Sequence, residues 1–192
     1  MATIRDLRDT NLPLPGFLLL DASVLLAVLS PPGAPASPQS AAATQFLTRV
    51  QRACRNGDII PLVWILTLEE CYFKIIRWGY ENDPSLRNQV GWHQLYKRYP
   101  QAIQNYFPAI QTFYHSVIGI PLTILEPQDF VDPSAAFPPI EERMRHYIRS
   151  CSILPKDACL TAVANRLGVQ HIATLDKDFD RLGDDFTVYT LP

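Results

Sequence analysis

Two short apolar runs that each lead into an aspartate restrict the possible fold most strongly. FLLLD, residues 17 to 21, and VQHIATLD, residues 169 to 176, have the length of strands and are mostly apolar. Strands that are buried on both faces are typical of parallel sheets covered by helices. A lone carboxylate inside such a run would be costly to bury, so we expect both aspartates at strand ends, where a partner can hold them.

The segments between the apolar runs have helical spacing. The predicted strands cover residues 17–20, 59–65, 120–125 and 169–176. Strands that alternate with helices predict an α/β fold, with three α/β/α layers around a central, mostly parallel sheet. We expect one domain, residues 16–192, preceded by an N-terminal extension, residues 1–15, and interrupted by a helical insertion at about residues 79–119.

Composition excludes several classes of protein. The chain has 17 Lys and Arg against 19 Asp and Glu, so a polyanion such as RNA would have to be bound by a local basic patch. The first residues are charged where a signal peptide would need its apolar core, and the apolar run after Gly16 is broken by Asp21 and then by Pro31, so we expect neither a signal peptide nor a membrane span. The four cysteines form no C-x-x-C pair, which favours reduced thiols and a cytoplasmic location.

Four acidic residues are predicted at one edge of the sheet. Asp21 and Asp176 end strands, whereas Glu70 and Asp157 lie in the first turns of predicted helices. The carboxyl ends of parallel strands and the starts of the following helices share an edge, and ligands bind there. Crowded carboxylates repel one another unless a cation neutralises them, and an all-oxygen set suits Mg²⁺ or Mn²⁺.

Each of these acids also has a purely structural interpretation, which the sequence leaves open. Asp21 could cap the helix that follows it, and Thr67 with Glu70 matches a capping box. Asp157 follows Pro155 at a helix start, where a carboxylate favours the helix dipole. Asp176 lies in an ordinary Asp-rich turn.

Three segments resemble the PIN domain, the nuclease fold of VapC-like toxins and several RNA-processing factors. They are FLLLDASVLL, LTLEE and LPKDACLTAVANRLGVQHIATLDKDFDRL. The resemblance implies that the site residues are the acidic quartet Asp21, Glu70, Asp157 and Asp176, with one or two Mg²⁺ or Mn²⁺ ions. It further implies auxiliary roles for the hydroxyls of Ser23 and Thr174 and for the outer acids Asp178 and Asp180. Glu69 is the rival of Glu70 for its place in the quartet.

Two basic or aromatic clusters are candidates for contacts with partners. Arg143, Arg145, His146 and Arg149 precede Asp157, and with Lys156 they could bind RNA phosphates, although a solvated helix face explains them equally well. Trp92, Leu95, Tyr96 and Tyr99 have helical spacing. This stripe could stack on RNA, but packing within the domain or in a homodimer is the better interpretation.

The predicted function is metal-dependent endoribonucleolytic hydrolysis of RNA phosphodiester bonds, as in the toxin of a toxin-antitoxin pair with a small antitoxin protein. Two alternatives stay open. One is a non-catalytic RNA- or protein-binding module of the same fold, in which the acids only cap helices. The other is a structure-specific DNA nuclease.

Overall fold

The computed structural model describes residues 1–29, 37–86, 91–127 and 139–192, apart from the side chains of Trp92 and Leu95. Most of the Pro-rich loop after Leu29, part of the predicted insertion and most of the Pro-rich segment before Ile140 lie outside these residues. Among the helices described, none has the length and apolar character needed to cross a membrane.

The predicted α/β fold is confirmed, because a six-stranded sheet forms the centre of the molecule and every pairing in it is parallel. The strands are β1 Thr3–Asp6, β2 Phe17–Leu20, β3 Ile60–Trp64, β4 Thr123–Leu125, β5 His171–Ala173 and β6 Thr187–Thr190. Their order across the sheet is β1-β6-β5-β2-β3-β4, so β2 and β5, which precede Asp21 and Asp176, lie side by side.

Helices cover both faces of the sheet. The α-helices described are α1 Ala22–Leu26, α2 Pro38–Arg55, α3 Ile65–Asn82, α4 Trp92–Arg98, α5 Ile103–Ile118, α6 Ile140–Cys151 and α7 Pro155–Arg166. Buried residues of α1, α2, α3 and α5 form one core with one face of the sheet. Buried residues of α7, packed against α6, form a second core on the opposite face.

Strand β2 shows why both faces must be covered. Leu18 and Leu20 are fully buried in the first core, whereas Leu19 is fully buried in the second. Successive side chains of a strand point to opposite faces, so this continuous apolar run fills both cores. The same arrangement holds the backbone of Asp21 at the strand end, where its N–H donates to the carbonyl oxygen of Ala173 at 3.0 Å.

Two strands are absent from the sequence prediction. β1 lies within the segment that we expected to be only an extension, and it pairs with β6, which was not predicted either. The predicted insertion is also not separate from the domain, because Phe113 and Val117 of α5 are buried in the first core. Part of residues 79–119 therefore belongs to the helical layer of the domain.

Some elements end at other residues than the sequence patterns suggest. Helix α3 continues to Asn82 through Gly79, past the predicted start of the insertion, and α2 begins at Pro38. Pro108 lies inside α5 without ending it. Strand β5 stops at Ala173, so Asp176 follows the strand rather than ending it.

Candidate functional site

The four predicted acids lie at the carboxyl edge of the parallel sheet. Asp21 directly follows β2, and Asp176 follows β5, the neighbouring strand. Glu70 lies near the start of α3, which continues directly from β3, and Asp157 is the third residue of α7. Because all strands run in the same direction, these positions meet at one edge, as the sequence predicts.

Asp21 is buried, with 7% of its surface exposed, and one of its oxygens is held by hydroxyl groups. Oδ2 accepts hydrogen bonds from the Ser23 Oγ at 2.5 Å and the Thr174 Oγ1 at 2.9 Å, and from the Ser23 N–H at 3.1 Å. The two hydroxyl oxygens also lie 3.1 Å from each other, so both groups belong to one hydrogen-bonded cluster around this oxygen. The hydroxyls of Ser23 and Thr174, expected near the site, therefore fix the orientation of the carboxylate.

The structural interpretation of Asp21 is also correct. Asp21 is the N-cap of α1, because its side chain accepts from the Ser23 N–H. Capping and the hydroxyl contacts all use Oδ2, and among the described residues no hydrogen bond reaches Oδ1. Asp21 can therefore cap α1 and still offer Oδ1 to a ligand.

Glu70 does not take part in a capping box. Helix α3 begins at Ile65 with Trp64 as N-cap and no side-chain cap, so Thr67 and Glu70 both lie inside the helix. The Glu70 carboxylate instead binds Lys74 Nζ at 2.8 Å and Lys156 Nζ at 3.0 Å. Burial raises the pKa of Glu70, but the hydrogen bonds from Lys74 and Lys156 outweigh it, so the pKa lies below the ordinary value.

Glu69, the rival of Glu70, points elsewhere. It is exposed and lines a shallow apolar hollow on α3 together with Leu68, Tyr72 and Phe73. Glu70 lines a pocket with Asp21 and Asp157. The geometry therefore places Glu70, and not Glu69, at the sheet edge.

Asp157 carries the strongest electrostatic signal of the site. The N-cap of α7 is Leu154, which has no side-chain cap, so the Asp157 carboxylate does not cap the helix. Burial raises the pKa of Asp157 to about 7, with smaller contributions from the negative charges of Asp21, Asp176 and Glu70. The four acids therefore share one region and repel one another there.

Asp176 is more exposed than the other members of the quartet. Its Oδ1 accepts from the Asp178 N–H at 2.9 Å, and its own N–H donates to the Thr174 Oγ1 at 3.0 Å. Thr174 thus contacts both Asp21 and Asp176. Of the predicted outer acids, Asp178 forms an ion pair with Arg181, and Asp180 has one buried oxygen that lacks a hydrogen-bond partner within the described residues.

The pocket beside these acids has one charged wall and one apolar wall. Its charged wall is formed by Asp21, Glu70, Lys156 and Asp157. Its other lining residues are Trp64, Leu66, Thr67, Cys159 and Leu160. Three carboxylates and one ammonium group therefore line a space whose other lining residues are mostly apolar.

The acids fit a hard divalent cation by their chemistry. Carboxylate oxygens are the ligands that Mg²⁺ and Mn²⁺ prefer, and no described Lys or Arg forms an ion pair with Asp21, Asp157 or Asp176. Their spacing is looser than that of a finished centre, because no set of three His, Cys, Asp or Glu side chains among the described residues is arranged to hold a metal.

The predicted RNA-binding residues lie on α6 and at the start of α7. Arg143 donates to Asn165 near the end of α7, and Arg145 pairs with Glu141 at 2.7 Å. Arg149 lies in the last turn of α6, just before the short connection to α7. Only Lys156 lines the pocket.

Sequence reasoning missed Lys74 and the apolar wall. Lys74 follows Glu70 by four residues, a spacing at which opposite charges pair on a helix, so this signal was present. Trp64, Leu66 and Leu160 carried no such signal, because their positions beside the acids depend on how α3 and α7 meet.

Comparisons with known proteins add no relative. The chain matches no family model and no curated protein. The resemblance to the PIN domain therefore depends on the three quoted segments alone.

Proposed function

We propose that this chain is a metal-dependent endoribonuclease that hydrolyses RNA phosphodiester bonds. The observation that carries the proposal is the convergence of four carboxylates at the carboxyl edge of a parallel sheet, where burial and then the charges of Asp21, Asp176 and Glu70 raise the pKa of Asp157 to about 7. Such repulsion lowers the stability of the protein unless a cation binds. Acids that only cap helices would not need to converge at one edge of the sheet.

Asp21, Asp157 and Asp176 are the residues proposed to hold one or two Mg²⁺ or Mn²⁺ ions. When bound, such an ion polarises the phosphate and makes the attacking water more acidic. Ser23 and Thr174 hold the Asp21 carboxylate in one orientation through Oδ2. The proposed role of the chain at this edge is to hold these oxygens in place beside the pocket.

The pocket also supports a nucleic acid as substrate. Lys156 places an ammonium group beside the acids, where it can pair with a phosphate of the strand. Leu66, of which 44% is exposed, lies on the apolar wall and can contact an unstacked base. An unpaired RNA strand can present a phosphate and a splayed base at the same time.

Asp21→Asn tests this function. Asparagine keeps the size and the capping ability of the residue but removes the charge, so RNA hydrolysis with Mn²⁺ should fall by several orders of magnitude while the circular dichroism spectrum is unchanged. Glu69→Gln is the matched control, because this acid is exposed and lies outside the pocket, and it should keep its activity. Cleavage by the Asp21→Asn protein at the wild-type rate would exclude the proposed site.

The choice of substrate decides between the nuclease alternatives. Purified protein should cut single-stranded RNA in Mn²⁺ and not in chelator, and it should cut single-stranded DNA and DNA flaps far more slowly. Preferred cleavage of flaps would make the protein a structure-specific DNA nuclease. Tight RNA binding without cleavage would make it a binding module.

The proposed partners follow from the proposed function and from exposed groups. We propose a cytoplasmic protein, and the cysteines described are free, which is consistent with a reducing compartment. An antitoxin is proposed only by resemblance, and a co-transcribed small gene whose product blocks cleavage would support it.

A homodimer through the stripe Trp92, Leu95, Tyr96 and Tyr99 is proposed from the helical spacing of these residues and from Tyr96, of which 46% is exposed. Sedimentation of wild type and of Tyr96→Glu would test it.

A further inference from the structure

Glu70 differs from the other three acids because both of its oxygens already bind a cation. Lys74, one turn further along α3, contacts Oε1 at 2.8 Å, and Lys156 of α7 contacts Oε2 at 3.0 Å. Only 17% of the Glu70 side chain is exposed, compared with 39% for Lys74 and 46% for Lys156. The carboxylate is therefore enclosed between two ammonium groups whose stems reach it from the surface.

The three aspartates have different partners. The Asp21 Oδ2 binds hydroxyl groups, and the Asp176 Oδ1 binds the Asp178 N–H. The helix-start residue Asp157 faces the same pocket as Asp21. When the four carboxylates are ionised, together with the two ammonium groups they carry two negative charges, which is the charge that one divalent ion neutralises.

We propose that Lys74 and Lys156 keep Glu70 out of the metal shell, so that the centre binds a single divalent ion through Asp21, Asp157 and Asp176. This inference rests on the proposed function. Glu70 is then a positioning residue, which holds the Lys156 ammonium group at the pocket, and the two lysines take the place of a second ion.

A second ion at Glu70 would be opposed in two ways. Glu70 would have to give up at least one ammonium partner, and an ammonium group left unpaired in a half-buried site is costly. The incoming ion would also lie within a few ångströms of the Lys156 Nζ, and two cations that close repel strongly at the low effective dielectric of such a site. A single ion at the aspartates avoids both costs.

Direct measurement of Mn²⁺ binding by calorimetry and by electron paramagnetic resonance tests the inference without an activity assay. Wild type should bind one Mn²⁺ per chain. The Lys74→Gln/Lys156→Gln variant frees Glu70, so it should bind a second ion or bind the first at least about tenfold more tightly. Arg77→Gln is the matched control, because it removes the cation of another such pair on α3, with Glu81, and should leave Mn²⁺ binding unchanged.

The triple variant Glu70→Gln/Lys74→Gln/Lys156→Gln distinguishes a positioning role from direct ligation. It replaces the whole ion-paired group by neutral side chains, so it should still bind one Mn²⁺ with wild-type affinity or better. Loss of the ion from this variant, with its fold intact by circular dichroism, would make Glu70 a ligand and overturn the inference. If the double variant fails to fold, the triple variant still tests whether Glu70 is a metal ligand.

The stoichiometry separates failure of the inference from failure of the proposed function. Two ions per wild-type chain, together with RNA hydrolysis, would overturn the inference and leave the function standing. Binding of no Mn²⁺ together with no hydrolysis would overturn both.

Discussion

At the scale of single residues, Asp157 carries the clearest consequence of the crowded edge. Its pKa is raised to about 7, mainly by burial and then by the charge of Asp21, from an ordinary value of 3.8. The folded protein therefore holds a proton on Asp157 that the unfolded chain has already released at pH 5 to 6. The free energy of unfolding of the metal-free protein therefore falls as the pH rises from about 4 to about 7.

Asp157→Asn should remove this fall. In chelator, the variant should match wild type near pH 4 and exceed it by a few kcal/mol at pH 8, because each pKa unit corresponds to about 1.4 kcal/mol. Urea unfolding across this pH range measures the difference. Mn²⁺ should abolish the greater stability of the variant at pH 8, since only wild type retains the full set of aspartates that can bind the ion. Parallel curves for the two proteins at every pH would mean that Asp157 is an ordinary surface acid.

At the scale of secondary-structure elements, Gly79 lies inside α3, although the predicted insertion begins at about this residue. A glycine followed by Pro84 suggests a helix end, but α3 continues to Asn82 and stops only before the proline, which restricts Asp83. A Cβ at Gly79 would overlap the ring of Tyr106 on α5. The glycine is therefore required by the close approach of two helices and not by a turn.

Gly79→Ala should lower the free energy of unfolding by about 1–3 kcal/mol, because the ring of Tyr106 must move out of its site. In an exposed helix the same change would stabilise by roughly 1 kcal/mol. Repeating it in a Tyr106→Ala background, where the ring is gone, should reverse the sign. Chemical unfolding of the four proteins gives this coupling. The same destabilisation in both backgrounds would show that the ring is not the cause.

At the scale of the whole molecule, the N-terminal segment is part of the domain. Strand β1 lies at the edge of the sheet beside β6, and Leu7, of which 2% is exposed, belongs to the first core. Arg49 of α2 donates to the carbonyl oxygens of Asp9 and Leu12, both at 2.7 Å. These contacts connect the segment to the sheet and to the helical layer.

Leu7→Ala should therefore cost about 2–5 kcal/mol of unfolding free energy, as for other buried leucines. Ile4→Ala on the same segment is the matched control, since 39% of Ile4 is exposed, and it should cost less than about 1 kcal/mol. Neither change reaches the acids, so the stabilisation by Mn²⁺ should be the same in both. Equal, small effects in urea unfolding would place the segment outside the cooperative unit.

The class of fold and the edge at which the acids meet follow from the amino-acid sequence alone. Leu18, Leu19 and Leu20 form a run with no polar face, and only a sheet covered on both sides can bury it. Parallel strands then bring Asp21 and Asp176 to the same edge. Strand β1 escaped prediction because TIRD is short and mostly polar, and it is a strand only through its pairing with β6. The residues TVYT of β6 favour a strand, so this signal was present and was missed.

The long-range partner of Glu70 and the start of its helix depend on the tertiary structure. The residues Thr67 to Glu70 satisfy the local rule for a capping box, yet β3 continues directly into α3, so both lie within the helix. Glu70 then pairs with Lys156, which comes from a helix far along the chain. A local pattern cannot specify such a contact, because the contact depends on the sheet placing the starts of α3 and α7 at the same edge.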